Sequence, residues 1–360
     1  MASIMMGGPT RQEHVPRLLS LATAVPEHRI TQDEVRRFGR SIFADRMNTF
    51  ERLMPVYENA GIESRYSSVP LTWIAGDKGW RERDQVYTQS AVDLLEEAAL
   101  ACLRQAGLRP EDVDGILVAS TTGIATPSLD ALLLERIPFR RDIQRLPVFG
   151  FGCAGGVLGL ARTAALSKAA PGETWLFLVV ELCCLTFRPG DMSKSNIIAT
   201  ALFGDGAAAA LVSCGESGPR LTAWVEHTWP DSLDIMGWTI EEDGFGVLFS
   251  RDIPALVRDK LRPEVDAFLM RHGFGAKDIN SWLFHPGGVK VLDALEDGFG
   301  VPRGGLQHAR SVLRDYGNMS AATVMFVLQS ALKNGAEGRM LAGALGPGFT
   351  AGFLLLEMDA

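Results

Sequence analysis

A cysteine, a histidine and an asparagine stand at element boundaries, where their chemistry would be usable. Cys153 lies in Phe151-Gly152-Cys153-Ala154-Gly155-Gly156. The stretch 146–151 reads as a short buried strand and 156–170 as a small-residue helix. The thiol therefore faces the positive end of a helix, where free N–H groups and the macrodipole favour a thiolate. His285 closes the apolar run Trp282-Leu283-Phe284 and is followed by Pro286-Gly287-Gly288, while Asn318 sits between Tyr316-Gly317 and a helical pattern over 320–333. A thiolate can attack a thioester carbonyl and hold the acyl group covalently. An imidazole can help form that thiolate and then donate a hydrogen bond. A carboxamide N–H can only stabilise negative charge. Together they suit a reaction in which an oxyanion or enolate develops among fixed donors. Decarboxylation of a malonyl thioester is one, because CO2 leaves and no base is required. Each residue alone has an ordinary structural reading: a buried cysteine, a turn histidine, an asparagine cap. Their joint placement at element ends gives them weight.

The elements that must position this trio alternate along the chain. Helical periodicity runs over 86–106, closed by Gly107 and Pro110, and an apolar strand over 116–120 follows a polar turn. Strands read at 175–182 and 207–213, apolar throughout, as suits strands buried on both faces. The second part repeats the theme. It has a helix at 262–272, a strand at 281–284, helices at 288–299 and 320–333, and strands at 340–344 and 352–357. Each part delivers a reactive residue to the mouth of a helix. No residue-level repeat is visible, but the architecture reads as duplicated, with the join near 215–219.

The totals set bounds. With 360 residues, 47% of them hydrophobic, the chain can bury a large core. A net charge of -8 without a long basic run argues against nucleic acid as the main partner. No apolar run approaches the roughly 20 residues that span a bilayer. Residues 1–16 are polar and lack a secretory pattern. Five cysteines (Cys102, Cys153, Cys183, Cys184 and Cys214) match no zinc site or disulfide framework, so no metal is expected and a reducing cytoplasm fits.

At these segments the chain resembles the type III polyketide synthases, the chalcone synthase-like family. The resemblance runs from about residue 16 to 357. Phe151-Gly152-Cys153-Ala154-Gly155-Gly156, His285-Pro286-Gly287-Gly288 and Tyr316-Gly317-Asn318-Met319-Ser320 are similar to the family's three catalytic segments. Ala201-Leu202-Phe203-Gly204-Asp205-Gly206-Ala207-Ala208 is similar to its diagnostic loop. The resemblance implies an α/β thiolase-like fold of five α-β-α-β-α layers, built from two duplicated halves. Residues 1–215 would carry the nucleophile, and 216–360 the histidine and asparagine. It also implies a homodimer that needs no cofactor and uses acyl-CoA and malonyl-CoA as substrates.

By resemblance Cys153 would take an acyl starter, and His285 and Asn318 would hold the malonyl thioester carbonyl. Phe203 would gate the pocket and Lys290 would meet CoA phosphates; Arg52 and Arg65 are nearby candidates for the same task. Val247 stands where the family has a second gate phenylalanine, which should open the gate. Met236-Gly237-Trp238 looks like bacterial members that make alkylpyrones or alkylresorcinols. Thr121, Glu181 and Ser320 match a ring-closure network. Thr122, Cys183, Leu185 and Thr186 are expected along the cavity with Trp238. Thr126-Pro127-Ser128 falls where a partner subunit would reach the neighbouring cavity. These hints point to a fatty starter. A malonyl-CoA-only tetrahydroxynaphthalene-type synthase, an initiating β-ketoacyl-carrier-protein synthase and a non-catalytic acyl-binding protein stay open as alternatives. A thiolase would want a second catalytic cysteine beyond Cys214, and an HMG-CoA synthase a glutamate base; neither segment is present.

Overall fold

The computed structural model describes residues 14–47 and 50–359, so the expected amino-terminal arm, 1–16, lies almost wholly outside the described residues. Nine strands form the main ladder, and five of them belong to the first half of the chain: β1 (Arg17–Ala24), β2 (Gly115–Ala119), β3 (Gln144–Val148), β4 (Trp175–Leu182) and β5 (Asp205–Ser213). Four belong to the second: β6 (Arg220–Thr228), β7 (Ser281–Phe284), β8 (Arg339–Gly346) and β9 (Thr350–Glu357). The hydrogen-bonded order is β3-β2-β4-β5-β1 and then β6-β9-β8-β7. The two sets touch through one residue pair, Arg17 with Arg220, so the ladder is two sheets meeting at a corner.

Each half repeats the same wiring. β2 and β4 are parallel, β4 and β5 antiparallel, β5 and β1 antiparallel. In the second half β7 and β8 are parallel, β8 and β9 antiparallel, β9 and β6 antiparallel. Only β3 has no counterpart. The duplication is therefore one of topology, which explains why no residue-level repeat is legible.

The helices that matter here are α1 (Trp80–Ala106), α2 (Gly155–Ala169), α3 (Lys194–Leu202), α4 (Arg262–Arg271), α5 (Val289–Phe299), α6 (Gln307–Tyr316) and α7 (Thr323–Lys333). α2 packs on β4 and β5 with one side and on β8 and β9 with the other, and α7 lies beside it between the same sheets. A helix sandwiched between two sheets can carry little polar surface, and α2 obliges with the run Gly155-Gly156-Val157-Leu158-Gly159-Leu160. α1 covers the outer face of the first sheet. α4 and α5 cover the second, with Phe268 stacked on Phe353 of β9 at 6.4 Å. The layers run α1, sheet, α2 with α7, sheet, α4 with α5: the thiolase-like arrangement.

Two local expectations change. The strand before Cys153 spans Gln144–Val148 and is an exposed edge rather than a buried strand, with Leu146 39% and Phe149 57% exposed. It pairs with β2 on one side only, so its apolar residues face outward. The expected helix over 262–272 is preceded by a short α-turn, Ile253–Leu256, and a single π turn, Val257–Leu261. Among the described residues no helix is long and apolar enough to cross a membrane, and no cluster of His, Cys, Asp and Glu could hold a metal ion.

Candidate active site

Cys153 rides a one-turn 3-10 helix, Gly152–Ala154, that leads into α2. Two features build the turn. Gly152 takes φ +48, where a Cβ would also lie 2.5 Å from the Pro347 ring, so the position requires glycine. Its N–H donates to Thr121 Oγ1 at 3.1 Å, tying the turn to the end of β2. The second half does the same with α7. A 3-10 turn, Ser320–Ala322, precedes it, and Ser320 takes φ +47, a left-handed conformation that serine rarely adopts. The two helix mouths meet at Gly156, where a Cβ would lie 2.3 Å from Ala321 O. That approach brings Cys153 Sγ to 3.5 Å from Ser320 Oγ, to which it donates.

Asn318 is held at both ends of its side chain. Its Oδ1 accepts from Ser320 N–H at 2.8 Å, and its Nδ2 donates to Gly287 O at 3.3 Å. With the carbonyl end occupied by a backbone donor and one N–H given to Gly287 O, the amide has one N–H left to present to the cavity. Its backbone bridges to Phe203: Asn318 N–H donates to Leu202 O at 2.8 Å and Gly204 N–H donates to Asn318 O at 3.0 Å. His285 caps β7, donating its backbone N–H to Gly343 O at 2.8 Å. Both of its ring nitrogens are buried without a protein partner, which is costly unless a ligand supplies one.

One cavity of about 600 Å³ is lined by Cys153, His285 and Asn318 together, and also by Lys290. Lys194 at the start of α3 and Arg251 line it too, and neither stood out from the sequence. All three cations are exposed, whereas Phe284, Leu295 and Phe353 are buried. The cavity therefore has a cationic rim and an apolar floor. Phe249, also in its wall, is a third residue the sequence did not single out; its alternation in 244–249 is an ordinary strand signal.

Electrostatics revise the expected thiolate. Burial pushes the Cys153 thiol up to about 12, with the buried Glu181 adding to the shift and the Ser320 hydroxyl opposing it. Burial also pushes the His285 imidazole down to about 4. Desolvation thus favours the neutral thiol and the neutral imidazole, against the pull of the helix mouth toward a thiolate. A neutral imidazole keeps one N–H to donate and one lone pair to accept the thiol proton.

The remaining predicted residues divide. Glu181 is fully buried. One carboxyl oxygen accepts from Thr121 N–H at 3.0 Å, the other has no partner, and desolvation raises the group to about 7. Thr122 Oγ1 accepts from Leu182 N–H at 2.9 Å. Phe203, Cys183, Thr186 and Val247 line a separate space of about 40 Å³, and Thr122, Leu185 and Thr186 another of about 20 Å³. The gate expected to open at Val247 is shut. Val247 pairs across the hairpin with Trp238, whose ring meets Phe203 at 6.2 Å, and Phe249 meets Phe203 at 5.8 Å. Arg65 does not line the large cavity. Its buried guanidinium donates to Thr200 O, Ala201 O, Phe203 O and Gln32 Oε1, closing the carboxyl end of α3. Arg52 is not in the cavity wall.

Comparison with known proteins now bears on this site. Residues 9–216 match the amino-terminal domain model of chalcone and stilbene synthases, and residues 221–357 match the carboxyl-terminal one. The chain belongs to the type III polyketide synthases. Members of this family are acyl-condensing transferases. A Bacillus subtilis (strain 168) protein carrying a chalcone synthase name is 38% identical, over 95% of this chain and 98% of the relative. The 1,3,6,8-tetrahydroxynaphthalene synthase of Streptomyces peucetius subsp. caesius is 37% identical, over 93% of this chain and 91% of the relative. The crystal structure of the Streptomyces coelicolor A3(2) tetrahydroxynaphthalene synthase superposes with a TM-score of 0.90 at 29% identity, covering 96% of this chain and 99% of that one. The polyketide synthase is thus related in both halves to enzymes of this reaction type.

Proposed function

We propose that this type III polyketide synthase condenses malonyl-CoA onto a fatty acyl starter and releases an alkylpyrone or alkylresorcinol. In the first step the Cys153 sulfur attacks the acyl-CoA carbonyl as its proton passes to His285, the carbonyl–sulfur bond to CoA breaks, and His285 gives that proton to the departing sulfur, so that CoA leaves as its thiol. Malonyl-CoA then binds with its thioester carbonyl between His285 and Asn318. CO2 departs, and the electron pair it leaves becomes an enolate stabilised by those two donors. The enolate carbon attacks the Cys153 thioester, the Cys153–carbonyl bond breaks, and a β-ketoacyl-CoA two carbons longer forms. It returns to Cys153 for further rounds until the chain cyclises. Phe203 shields the reacting atoms from water. Lys290, with Lys194 and Arg251, meets the CoA phosphates at the rim.

One observation carries this reading: a thiol, an imidazole with no protein partner and an oriented carboxamide line one cavity that has a cationic rim and an apolar floor. A starter made of hydrocarbon suits that floor. Malonyl-CoA alone, as a tetrahydroxynaphthalene-type enzyme would use, would leave it unfilled. The test is incubation with labelled malonyl-CoA, with and without a series of acyl-CoAs. Efficient labelled product without any acyl-CoA would replace the fatty starter with malonyl-CoA alone.

The same reading assigns 1–215 and 216–360 as the two thiolase-like halves and places the enzyme in the cytoplasm as a homodimer. Support for the dimer comes from β3, an open sheet edge beside exposed Ile124, Leu146 and Phe149, which a second copy would cover.

A further inference from the structure

Phe203 and Asn318 are carried on two chain segments that cross. Asn318 N–H donates to Leu202 O at 2.8 Å and Gly204 N–H donates to Asn318 O at 3.0 Å, so the two residues lie side by side in one short parallel bridge. A glycine adjoins each of them at the crossing. A Cβ on Gly204 would lie 2.5 Å from Tyr316 O and 3.2 Å from Arg65 Cβ. A Cβ on Gly317 would lie 2.9 Å from Leu202 O and 3.5 Å from Arg65 Cβ. Arg65 is the third member of the crossing, packed against both segments at once.

Its surroundings are unusual for a cation. Arg65 is 2% exposed, and its hydrogen bonds among the described residues all go to neutral oxygens: Thr200 O at 3.0 Å, Phe203 O at 2.8 Å, Ala201 O at 2.7 Å and Gln32 Oε1. A buried guanidinium ordinarily needs a carboxylate. Here the carbonyl dipoles at the carboxyl end of α3 take that place, and one prong of the fork holds Phe203 by its backbone. The same stretch of chain grips the other segment. Glu63 N–H donates to Arg314 O at 2.7 Å, Ser64 Oγ donates to Asp315 O at 3.0 Å, and the Tyr66 ring stacks on Tyr316 at 5.8 Å. Those three residues close α6 immediately before Gly317 and Asn318. Leu202 and Asn318 line the large cavity, whereas Arg65 and Phe203 line the space of about 40 Å³. Arg65 can therefore act only through the residues it holds.

Resting on the roles given above to Phe203 and Asn318, we propose that Arg65 is a positioning residue that fixes the gate ring and the carboxamide in one frame, so that the enolate forms only where water is shut out. The consequence is coupling: each CO2 released yields one condensed unit. When the frame slackens, the enolate carbon takes a proton from water instead of bonding to the acyl carbonyl, hydroxide is left, and acetyl-CoA departs.

The experiment uses labelled malonyl-CoA, with and without hexanoyl-CoA, on wild type, Arg65→Lys and Gln32→Ala. It reads CO2, acetyl-CoA and condensed product per folded enzyme, and hexanoyl loading of Cys153 by intact mass. Arg65→Lys keeps the charge but replaces a planar fork by a point donor. Its kcat for CO2 release should fall by up to about 10²-fold, the scale of a misplaced catalytic group. The malonyl-CoA KM should hold, because the cationic rim is untouched, and Cys153 should still load. The share of released CO2 that ends as acetyl-CoA should rise severalfold. Gln32→Ala removes one acceptor of the fork and should shift that share the same way by less; it carries the test if Arg65→Lys does not fold. A variant that is merely less stable loses active molecules and leaves the share unchanged. A wild-type share and kcat in the folded variant, or loading lost in step with decarboxylation, would overturn this assignment alone. A wild-type enzyme that releases no CO2 from malonyl-CoA would overturn the reading of the site and this assignment with it.

Discussion

The two halves present the same device with different cargo. In the first, a 3-10 turn opens α2 and delivers a thiol; in the second, a 3-10 turn opens α7 and delivers a carboxamide, with the imidazole supplied by the end of β7. The strand that ends at His285 occupies the place in its sheet that β2, ending beside Thr121, occupies in the other. One topology therefore aims four element ends at a common centre, and divergence of the residues there divides the labour. In the proposed reaction the covalent group comes from one half and the charge-stabilising groups from the other. If so, the two partial reactions should be separable by mutation.

The largest effect tests that division. Cys153→Ala should lower elongated product by about 10⁴-fold or more, as expected when a nucleophile is removed. Release of CO2 from malonyl-CoA should continue, because the second-half donors remain, and Cys153→Gln should behave alike. Labelled CO2 release read beside product formation decides it, and elongated product from Cys153→Ala would end the covalent role. The mirror experiment removes a donor. Asn318→Ala should cost about 10²- to 10³-fold in decarboxylation while acyl-CoA still loads Cys153, visible as an acyl-enzyme by intact mass. Loss of loading in that variant would mean the halves are not chemically independent.

The resting protonation state sharpens the comparison further. With the thiol raised to about 12 and the imidazole lowered to about 4, both groups are neutral at pH 7. Iodoacetamide should then alkylate Cys153 about tenfold faster for each pH unit between 6 and 9, following the thiolate fraction. A rate already flat below pH 7 would reveal a standing thiolate–imidazolium pair instead.

The meeting point of the halves is itself testable. Gly156→Ala puts a methyl 2.3 Å from Ala321 O, a backbone atom that can move only with α7. Overpacking of this kind costs about 3 kcal/mol. Thermal unfolding should show that loss together with reduced turnover, since separating α2 from α7 also separates the thiol from Ser320. A neutral result would mean that the close approach is not what positions the site.

Much of this was legible in the sequence, and the exceptions have physical causes. β4 and β5 read correctly because they are apolar on both faces, the simplest strand signal there is. The trio stood out because each member is a polar residue ending an apolar element. The edge strand β3 misled because its apolar residues face outward, and periodicity cannot distinguish a core from an uncovered edge. The gate at Val247 misled because what fills the space is Trp238 on the facing strand, a tertiary partner that register supplies and linear order does not. The desolvation around Cys153 was illegible for the same reason: the helix mouth that favours a thiolate is written locally, but the burial that opposes it comes from the whole surrounding fold.

Glu181 gives the smallest effect and separates structure from chemistry in the first half. Desolvation by burial raises its carboxyl from 4.5 to about 7, and one of its oxygens is buried without a partner. For an acid raised in the folded state, the folded protein holds a proton between pH 4.5 and 7 that the unfolded chain has lost, so stability falls as pH climbs through that window and levels off above it. Glu181→Gln keeps the shape, still offers an oxygen to Thr121 N–H, and removes the titration. Its melting temperature should match wild type near pH 4.5 and exceed it progressively up to pH 7, the gain reaching at most roughly 3 kcal/mol. If instead the variant is less stable at pH 8, the buried carboxylate is ionised and held by bonds to the Thr121–Thr122 segment, and the charge rather than the shape is what this half maintains beside the thiol. The product profile reports independently. Unchanged ring closure in the stabilised variant would assign Glu181 to packing, whereas a shift in product would assign it to the fate of the thioester on Cys153.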